Sequence, residues 1–220
     1  MSSLLKMANL LDLLPMRLGK AGGWLILPLI VIIMFDVIAR KIDFLRIGMS
    51  ELSWYWLIEP IKLQDMQWHL HGVLLLLSFG FGYLMNAHVR VDIFREKLTA
   101  RSQAKVELFG LLIYAIPYLA VVLYYSIVFV YASYSQGEGS ESLTGIPHRF
   151  IVKSFMIFGF ILASIAVLTT IMRLCAYLWG GPEAHRQARD DLQIFAIDDD
   201  HEGHQGHSLT EETTHSKPFA

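Results

Sequence analysis

The sequence predicts an all-α membrane protein with four transmembrane helices, short interfacial amphipathic helices and a disordered C-terminal tail. Three observations lead there. Hydrophobic residues make up 54% of the 220 residues and charged residues only 17%, against roughly 25% charged in an ordinary soluble domain. The apolar residues fall into blocks, four of them long enough for a hydrocarbon core about 30 Å thick, which takes roughly 20 helical residues. The block that follows Leu63 stops at His88-Val89-Arg90-Val91-Asp92 and turns into a basic, amphipathic segment. A membrane helix ends in this way at a charged surface, because hydrocarbon tolerates no such cluster.

Residues 1–20 form an N-terminal segment. Within it, residues 4–18 (LLKMANLLDLLPMRL) read either as an amphipathic helix on the inner interface, bent by Pro15, or as a frayed, leader-like tail. The four-helix membrane domain follows over residues 21–179, with spans expected near 24–39, 72–87, 106–134 and 151–178. Lys6, Arg17 and Lys20 precede the first span as they would a signal peptide. Bulky Ile33-Met34-Phe35-Asp36 offers no small-residue cleavage site, so the span is read as retained. Asp36 lies one turn from its outer end, in i,i+4 register with Arg40. Residues 50–68 carry Trp54, Tyr55, Trp56 and Trp68 and predict an outer interfacial helix. Its tryptophans suit the headgroup zone better than a carbohydrate or quinone platform.

The third and fourth spans exceed the minimum length and must tilt or protrude. Pro117 is expected to kink the third. Arg173, in the last turns of the fourth, can snorkel to the headgroups on its long stem. Gly180-Gly181-Pro182 ends that helix, and residues 180–220 read as a polar, acidic, disordered cytoplasmic tail. Its loose Asp198-Asp199-Asp200-His201-Glu202 tract matches no structural zinc spacing, and Cys175 is the single cysteine, so neither a thiolate metal cluster nor an internal disulfide is expected.

Orientation follows from Lys and Arg. Four spans put both termini and the second loop on one side, with eleven cations near the spans: Lys6, Arg17, Lys20, Arg90, Arg95, Lys97, Arg101, Lys105, Arg173, Arg186 and Arg189. The other side has six: Arg40, Lys41, Arg46, Lys62, Arg149 and Lys153. The richer side is the cytoplasmic one.

The central parts of the four spans hold no ionisable group, which argues against a carrier or channel acting alone. No grouping of Ser or Cys with His and an acid suggests a hydrolase, and no enzyme activity is expected. Small residues do recur at helical spacing: Ser78, Gly82 and Asn86 on the second span, Gly159 and Ala163 on the fourth. Such stripes let backbones approach, within the unit or against a partner. A haem or quinone anchor subunit of a respiratory enzyme is the alternative, with His148 as the candidate partner of His69 or His71 across the outer surface.

The run Leu63-Gln64-Asp65-Met66-Gln67-Trp68-His69-Leu70, the span with Gly80 and Gly82, and His88-Val89-Arg90-Val91-Asp92 with its basic sequel resemble the DctQ-type small membrane subunit of TRAP (tripartite ATP-independent periplasmic) transporters. The likeness continues through Pro117, Gly137-Glu138-Gly139-Ser140, Gly145-Ile146-Pro147 and Lys153, over roughly residues 20 to 178. It implies a bacterial inner-membrane protein with two partners: a large DctM-type subunit that moves organic acids with sodium, and a periplasmic substrate-binding protein. It implies neither cofactor nor metal, and no nucleic-acid partner. The LQ-x-x-x-W-H-L version is similar to a branch associated with keto-acid and other monocarboxylate uptake.

The small subunit then serves as a scaffold that must not slide in the bilayer. Trp54, Trp56 and Trp68 are expected as outer anchors, and His88, Arg90, Asp92, Arg95, Lys97 and Arg101 as an inner rim toward lipid or the large subunit. Glu138 and Glu141 mark a periplasmic loop that either docks the binding protein or is a solvated turn.

Overall fold

The computed structural model describes residues 2–51, 53, 55–87, 98–140 and 145–192, and every regular element among them is helical. In chain order these are α1 (Ser2–Gly23), α2 (Ile26–Lys41), α3 (Asp43–Ser50), α4 (Tyr55–Ile58), α5 (Pro60–Leu84), α6 (Ala100–Gly110), α7 (Ile116–Ser135), α8 (Phe150–Trp179) and α9 (Pro182–Asp191). A π-helical turn, Leu111–Ala115, joins α6 to α7.

Three helical runs are long and apolar enough to cross a membrane: Ser3–Lys41, Ala100–Ser135 and Phe150–Trp179. They take in α1 with α2, α6 with α7, and α8. Most of the run expected over 72–87 lies in α5, a single helix of 25 residues that begins well before it and ends at Leu84. The first half of α5 carries Lys62, Gln64, Asp65, Gln67, His69 and His71, which dilutes its hydropathy. The outer interfacial helix expected over 50–68 is divided: α4 is one turn, and Trp68 belongs to α5.

Pro117 accounts for the π turn. Its ring has no N–H to donate and would collide with the carbonyl of Ile113, four residues back. Widening the preceding turn relieves the clash, and the Ile116 amide donates to the carbonyl of Leu111, five residues back. The sequence leads to a kink at Pro117; the structure places a π turn just before it.

Helix α8 is the hub, packed against α1, α5, α6, α7 and α9. Two glycines set its distance from α5. A Cβ on Gly80 would stand 2.7 Å from the Leu162 carbonyl oxygen, and one on Gly159 would stand 2.7 Å from that of Leu76. Backbone meets backbone at both points, so no side chain fits. Helix α1 crosses this pair, with Pro15 against Gly80, Gly19 against Phe81 and Gly22 against Leu77. Its Leu5, Ala8 and Pro15 are buried, which sets the frayed-tail reading aside. Of the most apolar stretch in α6–α7 only 17% is buried, against 33% in α8. Most of the α7 surface, including Tyr118, Tyr125 and Tyr131, faces outward.

Two further expectations change. The start of the tail is ordered: Pro182, at the first turn, opens α9, and Ala184, Ala188 and Leu192 bury against the bundle. Residues 193–220 lie outside the described residues. Arg173 does not snorkel. It is 8% exposed and paired inside the protein, because Asp12 on α1 meets it before any headgroup can.

Candidate functional site

The charged groups of the bundle gather at its two ends. At one, the loop end, α2 finishes and α5 and α8 begin. Asp65 on α5 accepts a hydrogen bond from the Ile146 amide at 3.0 Å and lies 3.5 Å from Nη2 of Arg149, which also reaches the Ser140 hydroxyl at 3.4 Å. A Cβ on Gly145 would fall 2.0 Å from Ser140 Oγ and 2.6 Å from Asp65 Oδ2, so the clamp closes only around glycine.

Glu138 pairs with Lys153, whose ammonium also sits 4.0 Å from the centre of the Phe129 ring. The loop leaves α7 through Gly137 at φ +59°. There the Glu138 amide donates to the Ser133 carbonyl and the Gly137 amide to that of Tyr134, each at 3.1 Å, the double bond of a left-handed helix stop.

Electrostatics hold the clamp ionised. Burial pushes the Asp65 carboxyl up, but the Ile146 amide, the Ser140 hydroxyl and the Arg149 guanidinium outweigh it and leave it below its ordinary value. The Lys153 ammonium holds Glu138 below its own. His69 is lowered, mainly by burial, with Arg149 adding to that and Asp65 opposing it.

A second polar knot joins α2 to α5 at the same end. Arg40 Nε donates to Asp36 Oδ1 at 2.8 Å, in the expected register, and Gln67 Nε2 donates to Asp36 Oδ2 at 3.1 Å. Arg40 Nη2 reaches the Pro60 carbonyl at 3.0 Å.

At the other end, the terminal end, Arg173 ties three helices. Its Nη1 lies 2.5 Å from Asp12 Oδ2 of α1, its Nη2 donates to Asn9 Oδ1 at 2.6 Å, and its Nε stands 3.9 Å from Asp191 Oδ2 of α9. His185 of α9 stacks on Tyr177 at 4.2 Å, with Nδ1 2.8 Å from the Tyr177 carbonyl oxygen.

The sequence-selected residues are dispersed over this frame. Trp56 and Trp68 are 63% and 71% exposed; Trp56 carries Lys62 over its ring at 5.4 Å. Arg101 is exposed on α6. Trp54, His88, Arg90, Asp92, Arg95, Lys97 and Glu141 lie outside the described residues.

The small-residue stripes divide. Gly159 packs inside the bundle against Leu76. Ser78, Gly82 and Ala163 line an open apolar groove of about 540 Å3, walled also by Tyr118 and Leu119 of α7. Asn86 belongs to neither surface but ends α5: at φ +53° its amide donates to the Tyr83 carbonyl at 3.1 Å, and the Ala87 amide to that of Gly82 at 2.9 Å.

Sequence reasoning missed Asp12, Gln67 and the clamp role of Asp65 with Arg149. Asp12, alone among leucines, was the one available signal. His148, considered as a haem partner, stands edge-on to Phe150 at 5.9 Å. Among the described residues no three His, Cys, Asp or Glu side chains gather to hold a metal ion.

The frame from α2 through most of α8 has a counterpart among known families. The family model described as "Tripartite ATP-independent periplasmic transporters, DctQ component" matches residues 29–176. The chain belongs to the DctQ family. It is thus a small membrane component of a TRAP transporter, and the family implies a tripartite system with a DctM subunit and a binding protein. The match takes in the Asp36 knot, the Asp65 clamp and Arg173, while α1 and α9, which supply the partners of Arg173, flank it. No curated protein and no solved structure matches the chain.

Proposed function

We propose that this DctQ chain is the non-catalytic scaffold of a sodium-coupled secondary transporter that imports organic acids, keto acids or C4-dicarboxylates among them, delivered by a periplasmic binding protein. It binds the static part of the DctM-type subunit and keeps it from sliding while the transport domain moves. In this reading the apolar part of α5, within the run 72–87, belongs to a fourth span, α1 lies at the cytoplasmic interface, and both termini are cytoplasmic in the inner membrane.

The distribution of charge carries the proposal. The ionisable side chains engaged in ion pairs in the described helices satisfy one another at the two ends of the bundle, where a substrate crossing the midplane would not meet them. Exposed Trp56 and Trp68 at the loop end suit the outer headgroup layer, and Trp54 joins them. His88, Arg90, Asp92, Arg95, Lys97 and Arg101 form the inner rim toward anionic lipid or the large subunit. The open groove at Ser78, Gly82 and Ala163 offers helix-packing surface to that subunit. The loop bearing Glu138 and Glu141 faces the binding protein, and the Glu138–Lys153 pair supports a role for Glu138 in holding its shape.

Reconstitution tests this reading. Vesicles with the large subunit and the binding protein should take up labelled carboxylate on a sodium gradient only when this chain is also present. Equal uptake without it would remove the scaffold role.

A further inference from the structure

Between α2 and α5, beside the Asp36 knot, the structure has a cavity of about 490 Å3 that grades from charged to apolar along one line. Leu29, Ile33, Asp36 and Arg40 share one face of α2, and Gln64, Trp68 and His71 supply the facing wall from α5. Asp36 is 6% exposed, an acid kept inside an otherwise apolar helix by Arg40 and Gln67. The Arg40 guanidinium commits Nε to Asp36 and Nη2 to the Pro60 carbonyl and, at 3.5 Å, to Gln64 Oε1. Its Nη1 has no hydrogen-bond partner among the described residues, and the side chain is 46% exposed.

From this we infer that the cavity is a binding site for one phospholipid with a zwitterionic headgroup. The eleven steps from Leu29 to Arg40 rise about 16 Å, close to the roughly 15 Å depth of one leaflet's hydrocarbon. A lipid with its phosphodiester on Arg40 Nη1 therefore lays an acyl chain along Ile33 and Leu29. The charge pattern selects the headgroup. Asp36 repels the phosphodiester of any phospholipid, so a lipid whose only charge is that anion gains less than one whose ammonium can also reach the Asp36 carboxylate. Trp68, one turn further along α5 than Gln64 and 71% exposed, borders the site. The inference rests on the reading that α2 and α5 both cross the bilayer, and it makes the lipid a wedge that fixes the angle between them.

The test uses the complex purified through a tag on the full chain. It is reconstituted in nanodiscs of equal phosphatidylethanolamine and phosphatidylglycerol, extracted in mild detergent, and analysed for retained lipid by native mass spectrometry. The wild type should hold one phosphatidylethanolamine per chain. Arg40→Gln should lower its retention about tenfold. Leu29→Trp, which fills the apolar end and leaves every charge in place, should do the same, and Lys41→Gln should retain the lipid. Retention unchanged in both Arg40→Gln and Leu29→Trp, or preferential retention of phosphatidylglycerol, would overturn the inference. Whether the large subunit co-purifies is read in the same spectra and reports on the scaffold reading separately.

Discussion

The two ends of the bundle differ in whether the cation is buried with its acid. At the terminal end one cation, Arg173, is buried with its partners: Arg173 and Asp12 side chains are 9% and 13% exposed. At the loop end each pair has a more open member, with Arg149 at 26%, Glu138 at 33% and Arg40 at 46%, although Asp65 and Asp36 are 14% and 9% exposed. A buried pair makes whichever partner survives a mutation very costly, whereas a half-open pair is screened and lets water replace a lost partner. The terminal end is built as a fixed joint of α1, α8 and α9. The loop end is built to hold the shape of a surface.

The largest effect should come from breaking the joint. Arg173→Met leaves Asp12 buried without its cation and should destabilise the chain by about 3–5 kcal/mol, read as a lower melting temperature of the purified complex. Adding Asp12→Leu should restore much of that loss, since no charge then remains to be desolvated. A single variant as stable as the wild type would mean that water already reaches this site.

Next comes the packing between the ends. Gly80→Val must push α5 off the Leu162 carbonyl and should cost about 1–3 kcal/mol or more, whereas Gly82→Ala, with open space around its Cβ position, should stay within about 0.5 kcal/mol. If Gly82→Ala nevertheless weakens retention of the large subunit, the groove at Ser78 and Ala163 is part of that interface.

At the loop end, Asp65→Asn keeps the shape but removes the charge facing Arg149, and should cost about 1–2 kcal/mol. Faster amide exchange over residues 137–140 and 145–149 would report it, with residues 182–191 of α9 unchanged.

The smallest effect is one of pH. The folded loop end disfavours protonated His69, so the unfolded form takes up more protons near the ordinary histidine value of 6.5, and stability falls as pH drops through it. Asp65 and Glu138, both lowered, keep their contributions until the pH falls below the usual carboxylate range. Mild acid should therefore speed exchange at the loop end and spare the terminal end. His69→Gln should abolish the difference.

How much of this was legible depended on how local each cause was. Three of the four apolar runs became helices close to their expected bounds, because hydropathy over a full span is a local sum: α2, the α6–α7 run and α8 each follow from it. The Asp36–Arg40 pair was legible because i,i+4 spacing is local as well. Arg173 was misread because its partner Asp12 lies far away in sequence, and an arginine in an apolar run looks the same whether lipid or another helix receives it. The stripe at Ser78, Gly82 and Asn86 had the right spacing but mixed two causes: Gly80, outside the stripe, makes the close approach, while Asn86 serves the helix stop. Asp65 and Arg149 escaped notice since only the fold brings the starts of α5 and α8 together. The tail was read as disordered from its composition, yet Ala184, Ala188 and Leu192 give its start one apolar face that α8 accepts.

The most direct test of the scaffold account is a pull-down of the tagged full chain in mild detergent with mass spectrometry of its companions. A scaffold subunit should bring down a stoichiometric polytopic partner of the DctM type in a colourless preparation. Recovery of the chain alone as a stable homo-oligomer, or with a flavin or iron–sulfur protein, would contradict the scaffold role.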